Sequence, residues 1–195
     1  MARYRRVDVI DRAIEVLDAR GLDDLSMRHL AADLGVQPSA LYNHFANKQA
    51  LLGAVADRIL DRGRRGTEIV TWESELRLVG AELRDAMLGH RDGAVLIAQA
   101  HALGTGAAEP ERRLRDALVR AGADEDLARV GARTLLHFVF GHVIEEQTRP
   151  PRGPDSATLD PVEPDFAIGL GLVLAGLAVA VQRRVRLSVS SAKRA

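Results

Sequence analysis

Residues 26–48, S-M-R-H-L-A-A-D-L-G-V-Q-P-S-A-L-Y-N-H-F-A-N-K, leave the backbone few options. Ser26 suits an N-cap, because its side-chain oxygen accepts from first-turn N–H groups that have no helical partner. Leu30, Ala31 and Leu34 then recur at helical spacing and build one apolar face. Gly35 falls just past that face, where a left-handed residue without Cβ ends a helix. Val36 adds an apolar contact, and Pro38-Ser39 opens a second helix, proline being tolerated in a first turn. Gln37, Ser39, Ala40, Tyr42, Asn43 and His44 are presented outward, with Leu41 and Phe45 turned inward. An ordinary helical hairpin shares parts of this pattern. A short polar second helix after a glycine turn is more specifically a helix-turn-helix, whose second helix enters the DNA major groove.

The flanking sequence continues in helical period. Val9, Ile10, Ala13, Val16 and Leu17 predict a helix over 8–20 that Gly21 ends, with Leu22 and Leu25 bridging into the motif. Asn47 caps a fourth helix with Leu51, Leu52, Val55, Ile59 and Leu60 on its inner stripe, ending near Arg62. Residues 62–71 hold two glycines and three arginines and read as a junction. Trp72, just beyond, suits core or interface packing. Further helices are expected over 73–89, with Leu76, Val79, Leu83 and Met87 inward, and over 91–103, where Val95, Leu96, Ile97 and Ala100 make a helix apolar nearly all round. Glu109-Pro110-Glu111 opens another, acids lying at the positive end of its dipole, with Leu114, Leu118 and Ala121 inward. Asp124 caps a long helix to about Thr148, its inward residues expected to be Leu127, Val130, Leu135, Phe138, Val143 and Ile144. Five of the seven prolines fall in 149–164, predicting a loop. Asp165 is expected to cap a last helix over 166–181, shorter than the roughly 20 residues of a bilayer span. Its Gly169, Gly171 and Gly176 suit close helix contact at a subunit interface.

The fold class is therefore all-α: an N-terminal helix-turn-helix domain over 1–62 and a helical bundle over 63–195. At 195 residues the chain buries a sizeable core, and with only 4% aromatics that core must be Leu, Ala and Val. Without cysteine there is neither a disulfide scaffold nor a thiolate metal site. The balanced charge excludes a histone-like polyanion binder. The first six residues nevertheless carry three arginines, readable as a frayed terminus or as an arm that meets DNA phosphate. No apolar run follows them, so no signal peptide is expected.

Gly21, Leu25, Ser26, Arg28, Leu30, Ala31, Gly35, Val36, Leu41, Tyr42, His44, Phe45, Lys48 and Leu51 stand in ungapped register with a familiar pattern. Over roughly the first 60 residues the chain resembles the bacterial TetR (tetracycline repressor) family of transcriptional regulators. The resemblance implies a cytoplasmic, ligand-released homodimeric repressor on a palindromic double-stranded operator. Recognition helices should lie about 34–36 Å apart in successive major grooves. Arg28, Gln37, Ser39 and Asn43 are the candidates for base edges, since Arg forks onto guanine and Asn or Gln onto adenine. Pro38 and Ala40 lie on the same helix, and Tyr42, His44 and Lys48 are assigned to phosphate. Asn43 stands where the tetracycline subgroup usually has a bulkier residue such as tryptophan, which changes the expected base preference.

Two later segments resemble the tetracycline-repressor subgroup: His90-Arg91-Asp92-Gly93-Ala94, and His137-Phe138 with Gly141, Val143, Glu145 and Gln147. The resemblance implies a small-molecule inducer within the bundle and a dimer core made by the last two long helices. It also brings a departure. The subgroup's magnesium-binding histidine falls on Ile97 without a gap, and only a one-turn insertion would restore it at His101, before Gly104-Thr105. The subgroup's Arg-Pro is replaced by Gly106-Ala107. Magnesium prefers oxygen ligands, so a His101–Glu145 pair alone gives little ground for a metal. The expected pocket is metal-independent and cofactor-free, lined by Leu96, Ile97, Ala100, His101, Leu135, His137 and Phe138, with Glu145 a further ligand candidate. His137 is expected within an apolar face, and core packing is the competing reading for the whole set. The competing function, a small hydrolase using an acid–histidine pair, lacks a nucleophile elbow, thiol or metal triad. The partners expected are an operator duplex, an inducer and a second copy of the chain, with no membrane.

Overall fold

A computed structural model of the chain describes residues 4–66, 70–149 and 162–192. Residues 1–3 of the basic arm, 67–69 of the junction, 150–161 of the proline-rich stretch and 193–195 of the tail lie outside the described residues. Among the described residues there are helices and no strand. They are α1 (Arg6–Arg20), α2 (Met27–Asp33), α3 (Pro38–Tyr42), α4 (Lys48–Arg62), α5 (Trp72–Leu88), α6 (Gly93–Ala102), α7 (Glu109–Arg120), α8 (Glu125–Thr148) and α9 (Val162–Ala192).

Packing divides the chain into two compact units. One joins Met1–Arg64 to Asp85–Ala108, and the other joins Arg65–Arg84 to Glu109–Ala195. The partition at residue 62 read from the sequence follows the motif; the packing instead places α6 with the first four helices.

In the first unit α1 buries Val9, Ile10, Ala13, Ile14, Val16 and Leu17, and α4 buries Leu51, Leu52, Val55, Ala56, Ile59 and Leu60. Each such large side chain contributes roughly 1.5–3 kcal/mol by leaving water. Arg58 forks onto Asp11 at 3.1 and 3.4 Å, and Arg62 reaches the same carboxylate at 2.8 Å, tying α4 to α1. The turn after α6 approaches α4 backbone to backbone: a methyl on Gly53 would lie 2.6 Å from the Thr105 carbonyl carbon. Beside this contact the Ala107 amide donates to Asp57 Oδ1 at 2.7 Å.

The second unit packs α7 on α8 and α8 on α9. Small residues set the spacing. A Cβ on Gly131 would meet Leu177 at 2.8 Å, and one on Gly169 would meet the Phe138 ring at 2.6 Å. Glu82, 6% exposed, accepts from the Arg65 amide at 2.7 Å and from Arg113 at 2.6 Å, so its burial is compensated.

The structure corrects three expectations here. Asp165 is not a cap, because α9 begins at Val162. Pro164 sits in the first turn, where a missing N–H breaks no helical bond, so the helix starts inside the proline-rich stretch. On α8 Val130 is 51% exposed, and the buried stripe is instead Ala128, Gly131, Ala132, Leu135, Leu136, Val139, Phe140 and Val143. Trp72 is half-buried and begins α5, one residue before the expected start.

Candidate DNA interface

Ser26 Oγ accepts from the His29 amide at 3.2 Å and starts α2. At the other end the Val36 amide donates to Ala31 O and the Gly35 amide to Ala32 O, both at 3.0 Å. This pair of bonds closes the helix only if the residue after the cap is left-handed, and Gly35 has φ +66°. The chain then reverses and enters α3, with Gln37 in extended backbone and Pro38 at the first helical position. Leu30 and Ala31 are fully buried, and Leu41 and Phe45 are each 2% exposed. The turn is thereby fixed from both sides, and the polar residues are left outside.

Gln37, Ser39 and Asn43 are exposed, and Tyr42 is 54% exposed for all its aromatic surface. Arg28 is exposed on α2, while Pro38, Ala40, His44 and Lys48 are half-buried. Every DNA-contact candidate read from the sequence thus lies at or near the surface of one unit, over a shared core. Lys48 begins α4, whose first turn carries no acid. A cation there opposes the helix dipole, so Lys48 is poorly placed for stability and well placed for an anion arriving from solvent. Sequence reasoning did not single out Tyr4, which lines one hollow with Ala40, Asn43 and His44. Only its place in the basic arm signalled it.

The ligand candidates divide between the units. In the first, Leu96, Ile97 and Ala100 are buried on α6. His101 is half-buried, its Nδ1 3.1 Å from the Ala107 carbonyl oxygen. A carbonyl only accepts, so Nδ1 donates there. The His90-Arg91-Asp92 run forms an interlock rather than a ligand surface. His90 Nδ1 lies 3.0 Å from both Asp18 oxygens, Arg91 donates to Ala19 O at 3.2 Å, and Asp92 accepts from the Leu22 amide at 2.8 Å. Together they grip the end of α1, and Asp92 adopts φ +55° to do so.

In the second unit Leu135 is fully buried and Phe138 half-buried, stacked on Phe166 at 5.7 Å between ring centroids. His137 is exposed, not within an apolar face: the buried stripe passes through Leu135, Leu136 and Val139 and leaves position 137 outside. Glu145 is exposed and pairs with Arg149 at 2.8 Å, whereas its neighbour Glu146 is the half-buried acid, held by Arg84 at 3.1 and 2.7 Å. Among the described residues no group of three or more His, Cys, Asp or Glu is gathered in metal-binding geometry.

This is the architecture of a helix-turn-helix regulator: a short exposed helix on a small helical unit, followed by a separate helical bundle. Residues 9–55 match the bacterial regulatory proteins of the tetR family, and residues 66–165 match the tetracyclin repressor-like C-terminal domain. The chain belongs to the TetR family, and the hydrolase reading falls with that assignment. Tetracycline repressor class E of Escherichia coli is 35% identical over 154 residues, spanning 75% of this chain and 71% of the relative. Mycobacterium smegmatis BioQ has a similar structure, with a TM-score of 0.81, 39% identity, and coverage of 90% of this chain and 98% of BioQ. A structure of BioQ with its double-stranded DNA operator matches at TM-score 0.76 and 38% identity, covering 90% and 99%. A TetR protein of Acinetobacter baumannii AYE in complex with minocycline matches at 0.74 and 31%, covering 91% and 98%. The protein is a DNA-binding transcriptional regulator.

Proposed function

We propose that the chain is a cytoplasmic homodimeric repressor that binds a palindromic operator through Gln37–His44 and leaves it when a small molecule binds. Residues 1–62 supply DNA recognition and residues 63–195 supply dimerisation and ligand binding. The carrying observation is the exposure of Gln37, Ser39, Tyr42 and Asn43 over a turn locked by Gly35, Leu41 and Phe45. The relatives named as tetracycline repressors and the BioQ operator complex support the same reading.

Dimerisation is supported by what α9 leaves uncovered. Asp165–Arg184 has a mean hydropathy of 1.9, yet only 28% of it is buried within the chain. By length and composition this stretch could cross a membrane, being longer than the 16 residues read from the sequence. Family membership favours a second copy as its cover. Ile168, Leu172 and Val179 are 50–70% exposed, and Val130 adds an exposed apolar side chain on α8. Left open to water, such a face invites aggregation; paired across a two-fold axis, it becomes a core.

For the inducer, the candidates stand as two separate sets: Leu96, Ile97, Ala100 and His101 on α6 of the first unit, and Leu135 and Phe138 on α8 of the second, with His137 and Glu145 on the exposed side of α8. The apolar majority selects an apolar molecule held without a metal. Selection of bound sequences from a random duplex pool tests the DNA reading, and a pool in which no palindrome is enriched would refute it. Calorimetry with tetracycline, with and without magnesium, tests the ligand reading. Tight magnesium-dependent binding that His101→Ala abolishes would overturn metal independence.

A further inference from the structure

Helix α3 is five residues long, and Asn43 lies just beyond its last turn. A helix that short does not fix its own end, since nucleation costs more than one turn of bonds returns. The Asn43 side chain is exposed and makes no hydrogen bond to the protein among the described residues. Beside it is a hollow of about 230 Å³, lined by Tyr4, Val9, Val36, Ala40, Leu41, Asn43 and His44. Val9 and Leu41 belong to the core, Val36 and Ala40 to the turn and helix; Tyr4 alone comes from the segment before α1.

That segment is held on both sides. The Arg5 amide donates to Asp8 Oδ2 at 2.8 Å, and the Arg5 guanidinium reaches the same carboxylate at 3.2 and 3.1 Å, which fixes the entry into α1. Arg6 lies over the Phe45 ring, 4.8 Å from its centroid, joining the start of α1 to the residue that anchors the end of the recognition segment. Tyr4 is half-buried and lines the hollow from the side of this held segment.

We propose that Tyr4 is a positioning residue for sequence readout: its ring walls the hollow beside Asn43 and restricts the Asn43 amide to the directions from which it reads a base. The inference rests on the reading of Gln37–His44 as the DNA-reading segment and adds the residue that makes its end selective. The aromatic body performs this task, so the hydroxyl is dispensable.

The test compares sequences selected from a random duplex pool by the full chain, Asn43→Ala, Tyr4→Phe, Tyr4→Leu and Tyr4→Ala, with circular dichroism confirming the helix content of each. Asn43→Ala identifies the position that Asn43 reads. A bidentate side chain discriminates between bases by roughly 5- to 150-fold, and Tyr4→Ala should reduce the preference at that position to about 2-fold while leaving the others intact. Tyr4→Phe should keep the native preference, and Tyr4→Leu, which preserves apolar volume without the flat ring, should fall between them. Uniform weakening of binding to every sequence by Tyr4→Phe would make the Tyr4 hydroxyl a phosphate contact and overturn the inference. So would an unchanged preference in Tyr4→Ala or Tyr4→Leu. Failure of the unaltered chain to enrich any motif would overturn the reading of the segment itself, a result distinct from either.

Discussion

Replacing Gly53 by alanine should destabilise the first unit although alanine is the better helix former. The added methyl would lie 2.6 Å from the Thr105 carbonyl carbon and 3.2 Å from the Gly106 nitrogen, both backbone atoms that no rotamer change can move. Carbon–carbon contacts settle near 3.5–4.0 Å, so the 104–107 turn must retreat from α4 by about 1 Å. One helical turn along α4, the Asp57 Oδ1 to Ala107 N bond at 2.7 Å would open by a similar amount and leave hydrogen-bonding range. Ala107 is 2% exposed, so its amide has little water to turn to. Losing that charge-assisted bond costs about 1.5–3 kcal/mol, and the steric rearrangement about 1–3 kcal/mol. The helix-propensity gain returns only about 1 kcal/mol. The net is a loss of roughly 1.5–5 kcal/mol, or a melting point lower by about 3–20 °C for a chain this size. Urea denaturation and scanning calorimetry of the unaltered chain and Gly53→Ala measure both quantities. Equal or greater stability in Gly53→Ala would show that the turn yields freely, refuting the claim that backbone contact sets this spacing.

Three further outcomes are expected. Lys48→Ala should weaken binding to all duplexes alike and flatten the salt dependence by about one unit; altered base preference would contradict its assignment to phosphate. Gly176→Glu, at a position where nothing lies within 4 Å in the single chain, should fold and yet sediment as a monomer, and an intact dimer would remove α9 from the interface. The Asp8 carboxyl is held below its ordinary range by the Arg5 side-chain hydrogen bonds and then by the Arg5 amide, so its contribution is complete above the ordinary carboxylate range and disappears as pH falls through the depressed value. Asp8→Asn should erase that acid-side step in an NMR titration of the α1 amides; persistence of the step would assign it to another group.

What could be read from the sequence was what local chemistry decides. Ser26, Gly35, Asn47 and Asp124 terminate or start helices through bonds to residues three to five positions away, and each does so in the structure. The DNA-reading face follows from those bonds, because once the turn is fixed only one side of α3 can remain polar. The misreadings share a different cause. Weighting large apolar residues put Val130 inside, whereas α8 packs by Ala128, Gly131 and Ala132, whose small side chains let α7 and α9 approach closely. Helix α9 starts earlier than the proline content predicts, because Pro164 is a first-turn residue and not a barrier.

The His90-Arg91-Asp92 run was beyond single-sequence reasoning for a stronger reason. Its partners on α1 and the following turn lie 70 to 73 residues away, and nothing in its composition announces that separation. The run recurs in the tetracycline subgroup and so invites a drug-binding explanation. In the structure each of its three residues is engaged at the end of α1, through Asp18, Ala19 and Leu22. Asp92 accepts a left-handed backbone of the kind that costs a non-glycine residue of order 1 kcal/mol or more, and such strain persists only where surrounding bonds over-determine it. Those bonds tie α1, whose Val9 and Arg6 flank the reading segment, to the start of α6, which carries four of the eight ligand candidates. The run's work in this chain is therefore the seating of α1 against the start of α6, through bonds that leave its three residues engaged with the protein itself.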